Sequence, residues 1–246
     1  MSNRDNMEST RKKFKSVGII LAAGSGKRMN MEIPKQYMIL NNKPLFIHSV
    51  ISYQESKVDE IIVVVSSGER EHCRDIVDKF KIKKKVYFVE GGSERYLSVY
   101  NALKFCESQN YDIVSIHDCA RPMITKEFIN KSLEEAFEYD SSVLAVAVKD
   151  TVKRANTDMF VEETLDRDNL YIIQTPQSFK FKLLKMSYDL LMENEVCQKG
   201  ITDDAMVVER MTEVKVKLTK GFYENIKITT QEDIVLARVW KSEEKS

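Results

Sequence analysis

The chain has 246 residues, 43% of them hydrophobic, enough for one large α/β domain with a sizeable core. Lys plus Arg and Asp plus Glu number 38 each; no global field recruits nucleic acid or an anionic membrane, and any anion site must be a local concentration of charge. Neither an apolar signal-peptide region nor a run near the roughly 18 apolar residues of a membrane span is present, so residues 1–16 are expected to be a disordered leader on a cytoplasmic protein. Cys73, Cys106, Cys119 and Cys197, with His48, His72 and His117, show no Cys-x-x-Cys, zinc-finger or His-Glu-x-x-His spacing and are read as reduced thiols and isolated imidazoles.

From Val17 onward, short β-branched runs alternate with helical periodicity, the pattern of crossover units that build a mostly parallel sheet covered on both faces. Strands are predicted at Val17 to Leu21, Ile61 to Val65, Val86 to Val89, Ile113 to His117 and Val143 to Val148. One amphipathic helix starts near Pro44 and aligns Ile47, Val50 and Ile51; another aligns Val99, Ala102, Leu103 and Cys106. After Asp150 the alternation gives way to short extended pieces around a polar middle, and residues 150–172 are read as a hairpin arm projecting from a single domain spanning 17–241. Helix resumes at Phe181 to Leu191 and in "TDDAMVVERM"; strands are predicted at Val214 to Leu218 and Asn225 to Thr229, and a last helix from Gln231.

The unusual polar clusters fall at the carboxyl ends of predicted strands, where an open parallel sheet binds its ligands. "LAAGSGKRM", Leu21 to Met29, combines two glycines with Lys27 and Arg28, and "PKQY" brings Lys35 over the same crevice. This loop suits a phosphate chain without matching either common phosphate-loop pattern. "GGSER" follows the third strand, "HDCARP" closes the fourth and "DTVKR" the fifth. Singly each is weak: His117 reads as a packed strand end, and Asp118 as a turn cap before Arg121. Together they supply the convergent cations and backbone donors a triphosphate needs.

"LAAGSGKRM" with "PKQY", then "GGSERYLSV", "HDCARP", "DTVKR", "TLDRDNLYIIQTPQSF", "TDDAMVVE" and "NIKITTQEDI" resemble the 2-C-methyl-D-erythritol 4-phosphate cytidylyltransferase family from about Val17 to Ala237. The resemblance implies a Rossmann-like nucleotidyltransferase sheet with an extended β-arm that interlocks two subunits of a homodimer. It implies that Gly24, Ser25, Gly26 and Arg28 line the CTP triphosphate beside Lys35, that Gly92 and Ser98 meet the cytosine, and that Cys119 meets the ribose by its main chain. Asp118 and Arg121 would face the polyol phosphate, joined by Thr202, Lys227 and, from the partner's arm, residues equivalent to Thr151 and Arg167. Arg28, Lys35, Arg167 and Lys227 are the implied catalytic cations, the first two stabilising charge at the α-phosphate and the last two holding the incoming phosphate. Mg²⁺ is the implied cofactor, carried mainly by CTP phosphates, with no protein metal ligand assigned. Cys119 and Leu97 depart from the usual pattern, where alanine and a polar residue are common. Transfer to another polyol phosphate, such as ribitol 5-phosphate, and a non-catalytic nucleotide-binding module are the alternatives; a mere binder has no reason to keep cations for a second substrate.

Overall fold

A computed structural model describes residues 14–24 and 34–243. Ser25, Gly26, Lys27 and Arg28 lie outside the described residues, as does the expected leader up to residue 13. The end of that leader is part of the fold: the Phe14 ring stacks on Phe137 with centroids 5.1 Å apart, and the Lys15 amide donates to Asp112 at 2.9 Å.

Seven strands form the main sheet, with β1 (Ser16–Leu21) near its middle. A short hairpin of β2 (Ile39–Leu40) and β3 (Lys43–Pro44) leads into α1 (Leu45–Glu55). The chain then runs β4 (Glu60–Val65), α2 (Arg70–Asp78), β5 (Val86–Glu90), α3 (Arg95–Cys106), β6 (Ile113–Asp118), α4 (Lys126–Tyr139) and β7 (Ser141–Ala147). Next come β8 (Lys153–Ala155), β9 (Val161–Thr164) and β10 (Tyr171–Lys180). The chain finishes with α5 (Phe181–Met192), α6 (Asp204–Met211), β11 (Leu218–Lys220) and α7 (Gln231–Glu243). The sheet order is β11-β7-β10-β6-β1-β4-β5, parallel except that β10 runs antiparallel to both β6 and β7.

Strand periodicity sends alternate residues to opposite faces. Val17 and Ile19 join Ile62, Val64, Val114 and Ile116 against α3, α5 and α6, while Ile20 joins Ile61, Val63 and Val65 against α1, α2 and α4. Both faces are therefore covered, as the near-continuous apolar runs require. No helix among the described residues is long and apolar enough to cross a membrane.

Three expectations are corrected. The final strand is Leu218–Lys220 rather than 214–218, because it is residues 218–220 that pair with Val143, Leu144 and Ala145 of β7. Asn225 to Thr229 form no strand; their ladder groups go elsewhere, the Ile228 amide donating to the Ala120 carbonyl at 2.8 Å. β10, unpredicted, takes the last two residues of the expected arm. Residues 153–164 do form a hairpin, β8 paired antiparallel with β9, every residue of both strands exposed.

Candidate active site

After β1 the chain moves outward through β4 and β5, then returns to the other side of β1 as β6. The gap between the ends of β1 and β6 is thus the topological switch point, where the two connections diverge and leave a crevice. Asp118 is registered there against Leu21, and the Cys119 amide donates to the Leu21 carbonyl at 3.2 Å.

Asp118 is held by two cations. Arg95, the first residue of α3, donates from Nε to Oδ1 at 3.1 Å, and Lys227 donates from Nζ to Oδ2 at 2.6 Å. Burial would raise the Asp118 pKa, but the charges of Arg95 and Lys227 outweigh it and hold the carboxyl well below the usual range. The expected cap is made differently: the Asp118 carbonyl, not its side chain, accepts from the Arg121 amide at 2.9 Å. The other two nitrogens of Arg95 grip fully buried Asp204 at 3.0 and 2.7 Å, and Tyr188 Oη donates to the same carboxylate at 2.6 Å.

Gln177 on β10 fixes the start of α6: its Oε1 accepts from the Asp204 and Ala205 amides, both at 3.0 Å, and its Nε2 donates to Asp203 at 2.9 Å. Thr202, exposed, precedes this turn. Asn225 is fully buried and donates to the Thr175 carbonyl at 2.9 Å, anchoring the segment that carries Lys227. Arg121, expected to face the polyol phosphate, spends its guanidinium on the carbonyls of Asn225 (2.7 Å) and Ile173 (3.2 Å), clamping that segment to β10. Among the described residues, its Nε and Asn225 Oδ1 are buried with no hydrogen-bond partner.

On the β1 side, a Cβ on Gly24 would meet nothing within 4 Å among the described residues. Lys35 opens a 3-10 turn, Lys35–Tyr37, whose Tyr37 hydroxyl donates to Glu69 and lies 3.2 Å from the Cys73 thiol. Burial pushes the Cys119 thiol up to about 12, with Lys35 and Lys227 opposing it, so both ammonium groups are within electrostatic reach of that strand end. At the end of β5, the Gly92 amide donates to Ser98 Oγ at 3.1 Å, and Ser98 Oγ in turn donates to the Glu94 carbonyl at 3.1 Å. A Cβ on Gly91 would lie 2.7 Å from both Ala23 Cβ and Ser98 Oγ, and one on Gly92 2.4 Å from Leu97 Cβ; backbone approach there requires glycine.

The structure therefore brings Asp118, Cys119, Arg121, Lys227, Lys35, Gly24, Gly92 and Ser98 to one rim. Thr151 and Arg167 lie on the exposed arm; Arg167 donates to the Lys149 carbonyl at 2.9 Å, and among the described residues no hydrogen bond or ion pair joins either to the rim. Among the described residues no three His, Cys, Asp or Glu side chains gather as a metal site. Asp118 is the carboxylate at the switch point, and both its oxygens are engaged, Oδ1 by Arg95 and Oδ2 by Lys227.

Residues 17–242 match the 2-C-methyl-D-erythritol 4-phosphate cytidylyltransferase family. The chain belongs to that family. It is 46% identical over 222 residues to the 2-C-methyl-D-erythritol 4-phosphate cytidylyltransferase of Alkaliphilus metalliredigens, covering 89% of this chain and 90% of that protein. The cytidylyltransferase of Lachnospira eligens is 44% identical over 226 residues, 92% of this chain and 98% of the relative. Among solved structures, the 4-diphosphocytidyl-2C-methyl-D-erythritol synthase of Anaerococcus prevotii superposes with a TM-score of 0.81 at 32% identity, over 93% of this chain and 99% of that one. A cytidylyltransferase needs two anionic substrates side by side, and the cations at this switch point come from both sides of the crevice. Arg95 and Asp204, which organise them, fall within "GGSER" and "TDDAMVVE", but their pairing escapes sequence reasoning: they stand 109 positions apart, and no spacing rule joins them.

Proposed function

We propose that the chain transfers the cytidylyl group of CTP to 2-C-methyl-D-erythritol 4-phosphate, releasing pyrophosphate and 4-diphosphocytidyl-2-C-methyl-D-erythritol for isoprenoid synthesis. The observation that carries this reading is Lys227: its ammonium is anchored to Asp118 while its side chain is 44% exposed, an ammonium held in place with N–H groups left for an incoming phosphate. In the reaction a phosphate oxygen of the polyol forms a bond to the α-phosphorus in line, while the bond from that phosphorus to the bridging oxygen breaks and pyrophosphate leaves with the electron pair. A phosphate monoester is already anionic near neutral pH, so no protein nucleophile or strong base is needed; the protein positions two anions and neutralises charge that develops between them.

In this reading Gly24, Ser25, Gly26 and Arg28 cradle the triphosphate and Lys35 faces its α-phosphate. The Gly92 main chain, held by Ser98, meets the base, and the Cys119 main chain meets the ribose. Lys227, Thr202 and the Asp118 carboxylate address the polyol phosphate, with Arg121 holding the Lys227 segment against β10. Mg²⁺ would ride on the CTP phosphates near Asp118 and supply charge neutralisation there. The exposed β8–β9 hairpin would cross to a twofold partner, so that Thr151 and Arg167 complete the neighbouring crevice. Its tip supports that assignment: Met159, Phe160 and Val161 are 82%, 72% and 58% exposed, an apolar surface that a partner would cover.

Pyrophosphate release is the test. Protein, CTP and Mg²⁺ should yield pyrophosphate with 2-C-methyl-D-erythritol 4-phosphate and far less with ribitol 5-phosphate; ATP or GTP in place of CTP should be poor, because a pocket hydrogen-bonded to one base leaves polar groups unpaired with another. Equal release with ribitol 5-phosphate would overturn the substrate, and none with either would overturn the activity.

A further inference from the structure

The carboxylate that anchors Lys227 is itself anchored. Arg95 uses three nitrogens on two carboxylates: Nε on Asp118, NH1 and NH2 on Asp204. Asp204 is fully buried, takes a further hydrogen bond from Tyr188, and is fixed through its own amide to Gln177. The result is one unbroken chain of polar contacts, Tyr188 to Asp204 to Arg95 to Asp118 to Lys227, that starts in the core under α5 and ends at a half-exposed ammonium. The two ends differ in exposure, Asp204 at 0% and Lys227 at 44%, with Arg95 at 23% and Asp118 at 12% between them.

Such a chain does something that the Asp118–Lys227 pair alone cannot. A carboxylate has rotational freedom, and a lysine on a four-carbon stem follows wherever its partner turns. With Oδ1 of Asp118 engaged by a guanidinium locked in bidentate geometry on a rigid buried partner, Oδ2 points in one direction. We infer that Arg95 is a positioning residue for nucleotidyl transfer, setting the place of the Lys227 ammonium through Asp118 and so the alignment of the incoming polyol phosphate. This rests on Lys227 facing that phosphate, as proposed above. Arg95 itself contacts neither substrate in this scheme. The network holds two carboxylates and two cations, Asp204 balancing Arg95 inside and Asp118 balancing Lys227 at the rim, so what it offers an incoming anion is the fixed N–H donors of Lys227 rather than surplus charge.

Arg95→Lys tests this, because a lysine keeps the charge but cannot bridge two carboxylates through a planar fork. The readout is the KM for each substrate separately. The KM for 2-C-methyl-D-erythritol 4-phosphate should rise about tenfold, the KM for CTP should stay within about twofold, and in a Lys227→Ala background the same substitution should cost no more than about twofold further in kcat/KM, since residues acting as a unit are non-additive. If Arg95→Lys does not fold, Arg95→Gln combined with Asp204→Asn leaves no uncompensated buried charge and is expected to give the same split. Equal rises in both KM values, additive losses in the double variant, or unchanged KM values would each overturn the inference. Lys227→Ala measured alone separates the two claims: wild-type kinetics in that variant would remove the role of Lys227 itself, whatever Arg95 does.

Discussion

Thr175 Oγ1 lies 3.0 Å from His117 Nδ1 and takes a hydrogen bond from the Asp118 amide at 3.1 Å. His117 Nε2 is 3.2 Å from the Arg121 carbonyl, which can only accept. These partners fix the tautomer: Nε2 carries the proton, Nδ1 accepts from the Thr175 hydroxyl, and Thr175 accepts from Asp118. His117 is thus a neutral strut that ties β6 to β10 directly behind Asp118. Thr175→Val should leave the Asp118 amide and His117 Nδ1 unpaired in the interior, costing about 1–3 kcal/mol, while Thr175→Ser should restore most of that. Urea unfolding midpoints decide it; a valine variant within about 0.5 kcal/mol of wild type would mean that the relay contributes nothing.

Burial lowers the pKa of His117 to about 4, against weaker raising contributions led by Asp118, and lowers that of His48 to about 4 also, where the ring is 2.8 Å from the Leu40 carbonyl. The unfolded values lie near 6.5, so between these limits the unfolded chain binds more protons than the native one and stability must fall as pH falls from about 6.5 toward 4. Each histidine can account for at most roughly 3 kcal/mol of that loss. Asp118, held low by Arg95 and Lys227 despite burial, adds its own loss, which begins as pH falls through the ordinary carboxylate range of the unfolded chain and continues below it. Denaturant midpoints measured from pH 7.5 to 4.5 should decline, and His48→Gln should flatten the slope; a level profile would show that neither imidazole is kept neutral by the fold.

Lys35→Ala should fold and lose turnover. The residue begins a surface 3-10 turn whose anchor is Tyr37 on Glu69 and Cys73, so the stability change should be small, while loss of one preorganised charge costs on the order of a hundredfold in kcat. If Lys35 faces the α-phosphate as proposed, the charge it meets grows in the transition state, and kcat should fall more than CTP affinity. Near-wild-type turnover would remove Lys35 from the chemistry.

Gly91→Ala sets packing against nucleotide binding. The new methyl carbon would start 2.7 Å from both Ala23 Cβ and Ser98 Oγ, so the ends of β1 and β5 must separate or the Ser98 hydroxyl must leave Gly92. Overpacking of this kind costs about 1–3 kcal/mol. If Gly92 and Ser98 meet the base as proposed, the KM for CTP should rise more than the KM for the polyol phosphate; steady-state kinetics with each substrate varied in turn would show the reverse if the base lies elsewhere.

The parallel half of the sheet is legible because its strands are apolar on both faces, so Val17 to Leu21 and Ile61 to Val65 announce themselves. β10 is not, for a physical reason: apart from Phe179 its buried positions, Gln174, Thr175, Pro176, Gln177 and Ser178, are residue types that read as loop. They are tolerated inside because partners on other elements satisfy them. Ser178 donates to Ser115 on β6 at 2.9 Å and accepts from Ser132 on α4 at 2.8 Å, and Ser142 on β7 continues the run to Thr219 on β11 at 2.6 Å. That hydroxyl network crosses four strands and exists only once the strands are side by side. Asn225 to Thr229 shows the opposite error: its alternation mimics a strand, but Asn225 points inward to hold β10 and Lys227 outward to meet Asp118. Lys35 and Arg121 can be found from sequence as cations in the loops that follow β1 and β6, and Lys227 through the resemblance of its motif; the pairing of Arg95 with Asp204 cannot, since it comes from a contact between α3 and α6.

The arm makes the sharpest prediction about how many chains build one site. Hairpin β8–β9 has exposed strands and an apolar tip, and Arg167 at its base meets only the Lys149 carbonyl within its own chain among the described residues. If the arm crosses a twofold axis, Arg167 serves the neighbour's crevice, whereas Lys35 serves its own. Arg167→Ala and Lys35→Ala should then each be inactive as pure homodimers. Mixed under conditions that exchange subunits, each heterodimer gains one crevice with an intact Lys35 and an intact Arg167 arriving from the other chain, and its second crevice lacks both. Random pairing puts half the dimers in that state, so activity should recover to about a quarter of wild type per subunit. A site contained in one chain recovers nothing, because no subunit then carries both residues. Heterodimer formation is followed by differently tagged subunits in the same sample; heterodimers without activity would assign Arg167 to its own crevice or to none.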